Sequence, residues 1–292
     1  MGENSKIEWT THTFNPWIGC TRVSPACENC YAETFAGRFN IATWGTANAG
    51  GTRKVTSVAN WRLPLVWNEA AHQEAVRARV FCASLSDVFE DFAGRIIGKG
   101  LARNAASLDY QRGRLFDLVE RCEHLDFLLL TKRPENIRRM IPASWRAQGV
   151  PPNVWLGTTV EDQARADIRI DHLLETEAVV HFLSMEPLLG AVDVRRWLGR
   201  INWVIGGGES GSVARPTEVG WARSLRDQCA EASVAFFFKQ WGNNAQVGST
   251  ENLVRLRTKN EKLLDGVKYH AIPTPRPARA RRTAFERVLA ES

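Results

Sequence analysis

Six short runs of apolar residues divide the chain, and each is followed at once by polar, charged or glycine-rich sequence. The runs are RVFCAS (79–84), DFLLLT (126–131), NVWLGT (153–158), VVHFLS (179–184), NWVIGG (202–207) and VAFFFK (234–239). They are continuous rather than alternating, which is typical of strands buried on both faces of a sheet. Amphipathic stretches with helical period lie between several of them. The sequence therefore predicts strand–helix–strand units with parallel strands.

These units predict an α/β fold, a full or partial (β/α) barrel of about six to seven parallel strands. A further strand is expected near Phe14, and an open doubly wound sheet is the alternative. We expect the barrel to occupy residues 1–242, with a Gly/Thr/Asn-rich insertion at about 41–62 that could form a flexible lid. Residues 243–292 form a C-terminal extension, in which an Asp-Gly pair predicts a hairpin turn.

The polar sequence after the strands predicts a site. The runs end in SLSD (84–87), TKRPEN (131–136), TTVED (158–162), SMEP (184–187), GGGESG (206–211) and KQWGNN (239–244). Because the carboxyl ends of parallel strands meet at one rim, these segments should lie together, and active sites of such folds are built on that rim. Polar residues are also ordinary in such loops, so a single strand end is weak evidence and the series is stronger.

Three of the six cysteines, Cys20, Cys27 and Cys30, share one loop with the spacing C-x6-C-x2-C. A disulfide framework is disfavoured, because the polar N-terminus does not resemble an export signal and we expect a reducing, cytoplasmic location. Structural zinc needs four ligands, and His12 is one candidate for the fourth. The other cysteines, Cys82, Cys122 and Cys229, fall at predicted core positions. A three-cysteine site that leaves one iron of a [4Fe–4S] cluster free is the leading interpretation.

Charge favours an anionic partner. The formal net charge is +6 and the pI is about 9.2, which makes nucleic acid the first candidate. The most basic stretch, residues 275–282, contains Arg276, Arg279, Arg281 and Arg282, and it is either a solvated tail or a nucleic-acid contact. No apolar run approaches the roughly 20 residues of a membrane span, so no membrane association is expected.

With these motifs the sequence resembles radical S-adenosylmethionine enzymes, in particular their phage-associated branch. The resemblance rests on motifs that follow in order from about residue 7 to 270: NPWIGCTRVSPACENCYAE, WRLPLVW, SLSDVFED, LLLTKRPENI, WLGTTVEDQ, FLSMEPLLG, WVIGGGESG and FFFKQWG. The cysteine spacing departs from the usual C-x3-C-x2-C of the superfamily, and Asn29, not an aromatic residue, precedes Cys30.

The resemblance implies a [4Fe–4S] cluster, S-adenosylmethionine, and an external electron donor of the flavodoxin or ferredoxin type. It implies a 5′-deoxyadenosyl radical that modifies or rearranges a nucleobase in DNA or a nucleotide. Glycinyl-thymidine isomerisation in phage DNA is one such reaction. Two alternatives stay open: a radical lyase that repairs thymine lesions, and a non-catalytic nucleic-acid-binding protein stapled by zinc.

The same resemblance implies roles for residues at the rim. Cys20, Cys27 and Cys30 would bind the cluster. The cofactor's ammonium group would meet Ser84, Ser86 and Asp87, and its carboxylate would meet Lys132 or Arg133. Further expected contacts to the cofactor or substrate come from Thr158, Glu161, Ser184, Glu186, Gly207 and Gly208. Glu209 and Lys239 are the candidate catalytic residues, and Gln240 and Trp241 would bind substrate, with Trp241 stacking on adenine or a flipped base.

Overall fold

A computed structural model describes residues 2–247, 254–255 and 262–277 of the chain. The strands in chain order are β1 (His12–Thr13), β2 (Trp17–Ile18), β3 (Thr52–Val55), β4 (Ala78–Cys82), β5 (Arg95–Ile97), β6 (Leu125–Thr131), β7 (Val154–Thr159), β8 (His181–Met185), β9 (Trp203–Gly207), β10 (Thr217–Glu218), β11 (Ala235–Gln240), β12 (Ala245–Val247) and β13 (Val254–Arg255). The helices are α1 (Tyr31–Arg38), α2 (Val58–Gln73), α3 (Leu108–Arg121), α4 (Ile137–Met140), α5 (Ala143–Gln148), α6 (Gln163–Leu174) and α7 (Val219–Glu231).

Seven strands form one parallel sheet in the order β1-β4-β6-β7-β8-β9-β11. The sheet curls into a half-barrel with helices around it, so the predicted α/β partial barrel is confirmed. All six apolar runs are strands, and the seventh strand, β1, directly precedes Phe14.

Alternate residues of the strands pack into two different cores. Residues such as Val80, Leu129 and Val204 face outward, where they pack with the surrounding helices in the larger core. Their neighbours face inward and form an aromatic cluster inside the half-barrel, which contains Trp9, Phe81, Leu128, Trp155, Phe182, Trp203, Ile205 and Phe237. Burial on both faces explains why the runs are continuously apolar.

Several helices begin at a side chain that caps the first turn. Ser57, Ser107 and Asp162 each accept a hydrogen bond from the backbone N–H three residues on. Such caps satisfy one of the free N–H groups at a helix start. No helix in the described part of the chain is both long enough and apolar enough to cross a bilayer.

The segment expected to be a lid is part of a second, three-stranded sheet. In it β3 lies between β2 and β5. The preceding loop is tied back by Gly45, whose N–H donates to the Cys20 carbonyl at 3.0 Å, and by Thr52, whose N–H donates to the Thr43 carbonyl at 2.8 Å. Residues 41–62 thus contain β3 and the start of α2, and Gly45 ties them to the cysteine loop.

The two terminal segments meet beside the edge strands of the half-barrel. The Phe238 N–H donates to Tyr269, so residues near 270 run beside β11. On the opposite edge, the Thr13 N–H in β1 donates to Gly2. A 2.6 Å ion pair between Lys262 and Glu8 links the two segments.

The predicted Asp-Gly turn is present in the C-terminal segment. Asp265 and Gly266 both have positive φ, and Leu264 and Val267 form an antiparallel bridge around them. Of the basic tail, Arg276 lies within the described residues. Its N–H donates to Val179, which is near the amino end of β8. The predicted contacts of Arg279, Arg281 and Arg282 lie outside the described residues.

Candidate functional site

A cavity of about 810 Å³ opens at the carboxyl ends of the parallel strands. Three cysteines and the ends of β4, β6, β7, β8 and β11 line it. Of the residues predicted from the sequence, the cavity lining includes Cys20, Cys27, Cys30, Ser84, Ser86, Asp87, Lys132, Arg133, Ser184, Glu186 and Lys239. The volume falls within the range of roughly 300–1,000 Å³ that is usual for ligand pockets.

The cysteine loop is short and locally ordered. A 3₁₀ turn spans Pro25–Cys27, and Cys30 is the cap residue at the start of α1. Burial, with the nearby Glu90 and Asp87, raises the pKa of the Cys20 thiol to about 12, although Arg133 opposes that rise. A metal that binds Cys20 must therefore displace a firmly held proton.

Arg133 holds the first half of the loop. It donates to the Thr21 carbonyl at 2.7 Å and approaches the Cys20 sulfur at 3.6 Å. The same guanidinium pairs with Asp87 at 3.0 Å, and Arg53 pairs with Glu90 at 2.7 Å directly beside it. Burial favours the protonated form of Asp87, but Arg133 and bonds from Lys132, Thr131 and Phe89 together hold its pKa below the ordinary value. Arg133 and Asp87, both predicted to bind the cofactor, are thus paired with each other and hydrogen-bonded to neighbouring residues.

Two further ion pairs hold the second half of the loop. Glu161, paired with Arg169 at 2.8 Å, accepts a hydrogen bond from the Ala26 N–H. Glu209 is paired with Arg215 and accepts a bond from the Asn29 side chain at 3.0 Å. The Arg215 guanidinium also donates to the Pro25 carbonyl at 2.9 Å.

These contacts place two of the predicted carboxylates outside the cavity lining. Glu161 is fully buried, and Glu209 is 6% exposed and does not line the cavity. Burial would raise the pKa of Glu209, but bonds from Arg215 and Asn29 outweigh it and hold that pKa below its usual range. Glu209, a predicted catalytic residue, thus lies outside the cavity lining and contacts the cysteine loop through Asn29.

The cavity wall retains polar atoms that the protein does not satisfy. Lys239 pairs with one oxygen of Glu186 at 2.7 Å, and the other oxygen, Oε1, is buried without a hydrogen-bond partner among the described residues. The Ser86 hydroxyl is likewise buried without a hydrogen-bond partner among the described residues. Lys132 lines the cavity, and its ammonium forms no ion pair with any residue that the structure describes.

Several other predicted residues lie behind the wall. Thr158 is fully buried and its hydroxyl donates to the Thr131 carbonyl, while its neighbour Thr159 lines the cavity. The two threonines differ because adjacent side chains of a strand point to opposite faces of the sheet. Trp241 is 4% exposed and its indole N–H donates to Leu263, so it belongs to the core and is not available for stacking.

The glycines at the end of β9, Gly207 and Gly208, are explained by packing against the end of β11. A Cβ on Gly208 would overlap the backbone carbonyl of Trp241, and one on Gly207 would crowd the Gln240 carbonyl. Gln240 itself is on the rim, where its amide bonds to the hydroxyl of Ser210, a lining residue.

Sequence reasoning missed the apolar and N-terminal parts of the wall. These lining residues are Gly2, Glu3, Asn4, Ser5, Lys6, Ile7, Trp9, Tyr31, Phe35 and Trp44. Tyr31 follows the last cysteine directly, so its position was the signal, and its hydroxyl donates to the Ser84 carbonyl at 2.6 Å. His12 is not part of this wall; its ring stacks on Trp67 with centroids 4.3 Å apart.

Within the described residues, no group of three or more His, Cys, Asp or Glu side chains is arranged to hold a single metal ion. The remaining cysteines, Cys82, Cys122 and Cys229, are fully buried in the core, as predicted.

Comparison with known proteins gives a family but no activity. No curated protein and no solved structure matches the chain. One family profile matches residues 4–273, which include the half-barrel and the whole cavity wall from Asn4 onward. The chain therefore belongs to the family described as protein of unknown function DUF5131.

Proposed function

We propose that this protein is a radical S-adenosylmethionine enzyme that modifies or rearranges a nucleobase. The observation that carries the proposal is the placement of Cys20, Cys27 and Cys30 in the wall of one cavity, together with the ends of five parallel strands. Thiolates are the usual ligands of iron–sulfur clusters, and three of them leave one iron of a cubic cluster open.

The donor set fits such a cluster better than a single ion. Four ligands of a tetrahedral zinc converge on one point at about 2.0–2.3 Å. Ligands of a cubic cluster bind separate irons and stay farther apart. The cavity offers three cysteines on one loop, and three arginine–carboxylate pairs hold the backbone of that loop.

The unsatisfied polar atoms fit S-adenosylmethionine. Its ammonium needs acceptors, and Glu186 Oε1 and Ser86 Oγ are buried acceptors of cavity-lining residues that have no partner among the described residues. Its carboxylate needs a cation, and Lys132 is a better candidate than Arg133, whose guanidinium is already occupied. Asp87, expected to meet the ammonium, instead neutralises Arg133.

When both groups are bound, the chemistry that they supply is reductive cleavage of the sulfonium to a 5′-deoxyadenosyl radical, with the electron from an external flavodoxin- or ferredoxin-like donor. The task of the chain is to bind, orient and exclude water. Phe35, Trp44 and Trp9 provide an apolar wall that limits access of water to the reacting atoms. Lys239, held by Glu186, is the candidate for proton exchange with the substrate.

The net charge of +6 supports an anionic substrate such as a nucleotide or DNA. Isomerisation of an amino-acid-modified thymidine is the finer form of the proposal. Repair cleavage of a thymine lesion would use the same cavity, and the two differ in product.

The test is anaerobic reconstitution of the full chain with iron and sulfide. We expect close to four irons per chain, the broad visible absorption of an iron–sulfur cluster, and cleavage of S-adenosylmethionine on reduction. Cys20→Ala, Cys27→Ala and Cys30→Ala should each lose the iron, whereas Cys122→Ala, a change in the core, should keep it. Stoichiometric zinc without cofactor cleavage would instead identify a structural staple. Nucleoside analysis of treated DNA, by mass and retention time, separates isomerisation from lesion cleavage.

A further inference from the structure

Two segments of the chain carry basic residues and no acidic ones. Residues 34–68 contain Arg38, Arg53, Lys54 and Arg62, and residues 92–108 contain Arg95, Lys99 and Arg103. With 32 acidic residues in 292, a stretch of 35 residues would hold about four on average. These segments are therefore depleted of the side chains that would neutralise their own charge.

The fold brings the two segments together in the small sheet. β3 and β5 pair in parallel, with Thr52 opposite Arg95 and Lys54 opposite Ile97. Directly paired residues share one face of a sheet, so Lys54 and Arg95 lie on the same face. Both are exposed, whereas Arg53 and Ile96 on the opposite face are buried.

Lys99 is also exposed and lies in the turn two residues after the end of β5, which keeps it close to these two side chains along the chain. We call the surface formed by Lys54, Arg95 and Lys99 the basic face. None of its three side chains forms an ion pair with a residue in the described ranges, in contrast to the arginines around the cysteine loop. The basic face thus carries three positive charges that the described protein leaves uncompensated.

The basic face adjoins the cavity. On the next strand, Ile18 is paired with Lys54 and therefore shares its face. Ile18 packs with Ala32 of α1 and with Trp44, and both of these residues line the cavity. The tail residue Arg276, by contrast, contacts Val179 near the amino ends of the strands, away from the cavity mouth.

We propose that the basic face binds the phosphate backbone of DNA, so that the substrate base belongs to a strand and is not a free nucleotide. Phosphate contacts from Lys and Arg position a protein on DNA without reading its sequence, and the base then enters the neighbouring cavity. The identity of the reaction rests on the proposed function, but the binding surface does not, because it requires no cluster.

The test compares two triple variants of the full chain, purified without a cluster. Lys54→Gln, Arg95→Gln and Lys99→Gln together remove the basic face. Arg121→Gln, Arg138→Gln and Lys268→Gln together are the control, since these exposed residues lie elsewhere and remove the same charge. Fluorescence anisotropy with a labelled DNA oligonucleotide is measured from low to moderate salt, after urea unfolding has shown that both variants are folded.

We expect the basic-face variant to bind DNA at least about tenfold more weakly and its slope of log affinity against log salt to fall by about 2 to 3, near one unit for each lost phosphate contact. The control variant should stay close to the wild type. Equal losses in both variants, or no loss in either, would overturn the proposal. So would competition by thymidine monophosphate as strong as that by the oligonucleotide, since a free nucleotide would then suffice.

The two proposals can fail separately. If the wild-type protein binds DNA through the basic face but never cleaves S-adenosylmethionine after reconstitution, the radical chemistry is wrong and the surface stands. If it cleaves the cofactor but the basic-face variant binds DNA as well as the wild type, the surface is wrong. If the basic face binds an acidic protein instead of DNA, the basic-face variant would likewise bind DNA as well as the wild type.

Discussion

The guanidinium of Arg133 donates a hydrogen bond to the sulfur of Cys20 across 3.6 Å. Because Asp87 and Glu90 also pair with this guanidinium, its position is fixed before any ligand binds. The contact joins the end of β6 to the first residue of the cysteine set. Hydrogen bonds and charge around a ligand sulfur are known to tune an iron–sulfur cluster, so Arg133 is placed to do so if a cluster binds.

We expect Arg133→Gln to destabilise the fold by about 3–5 kcal/mol, since it leaves the buried Asp87 carboxylate without its partner. The matched control is Arg139→Gln, which breaks a 3.0 Å pair with Asp91 in which both side chains are more than half exposed. That change should cost less than about 1 kcal/mol. The measurement is urea unfolding at neutral pH, and similar losses for the two variants would contradict the prediction.

Glu209 and Arg215 should behave as one unit. Both contact the cysteine loop, Glu209 through Asn29 and Arg215 through Pro25, and the ion pair between them orients both side chains. Glu209→Gln and Arg215→Gln should each lower the free energy of unfolding, and the double variant should lose less than the sum by roughly 0.5–3 kcal/mol. A full double-mutant cycle measures this coupling. Strictly additive losses would show that the two residues act independently.

Stability should fall as the pH is lowered from about 6.5 towards 4, in part because of His181. Burial lowers the pKa of this histidine to about 4, while Nε2 remains bonded to the Thr176 carbonyl at 2.8 Å. The unfolded chain, with a pKa near 6.5, binds the proton more readily, so the stabilisation is complete above pH 6.5 and lost on the way to pH 4. The histidine accounts for roughly 3 kcal/mol at most.

His181→Gln removes this titration and should reduce the loss of stability between pH 7 and 4.5. Urea unfolding of the wild type and the variant at several pH values in that window measures the difference. If both proteins lose the same free energy, His181 does not carry the proton-linked change.

Gly208→Ala should destabilise the protein by more than 1 kcal/mol, because the new methyl group would overlap the Trp241 carbonyl and force β9 and β11 apart. Gly113→Ala is the control. A Cβ there meets nothing within 4 Å, and the residue lies inside α3, so the change should stabilise the protein by about 0.5–1 kcal/mol. The two variants should shift the thermal midpoint in opposite directions. If Gly208→Ala left the midpoint unchanged, the backbone near Gly208 and Trp241 would have moved to accommodate the methyl group.

The strands of the half-barrel could be predicted from the sequence because their burial is complete. β6 and β9 are surrounded on both faces, so almost any residue other than an apolar one is excluded from their interior. The small sheet escaped prediction for the opposite reason. β2 and β5 have two and three residues, too few to show a period. α2 was also missed, since Pro64 in its middle reads as a helix breaker.

The cavity wall could be predicted only in part. The end of a strand indicates which residues reach the rim, but it does not indicate the direction in which their side chains point. Ser84 and Lys239 turn into the cavity, whereas Glu209 turns under the cysteine loop and Trp241 turns into the core. What decides between these outcomes is a partner far away in sequence. Asn29, 180 positions from Glu209, and Leu263, 22 positions from Trp241, are such partners, and no local pattern indicates them.

The ion pair between Glu8 and Lys262 spans 254 positions of the chain. During synthesis Glu8 emerges from the ribosome long before Lys262, so the two segments cannot pair until the chain between them has been made. The contact can therefore join the two edges of the half-barrel only late in folding, after the strands between them have been made.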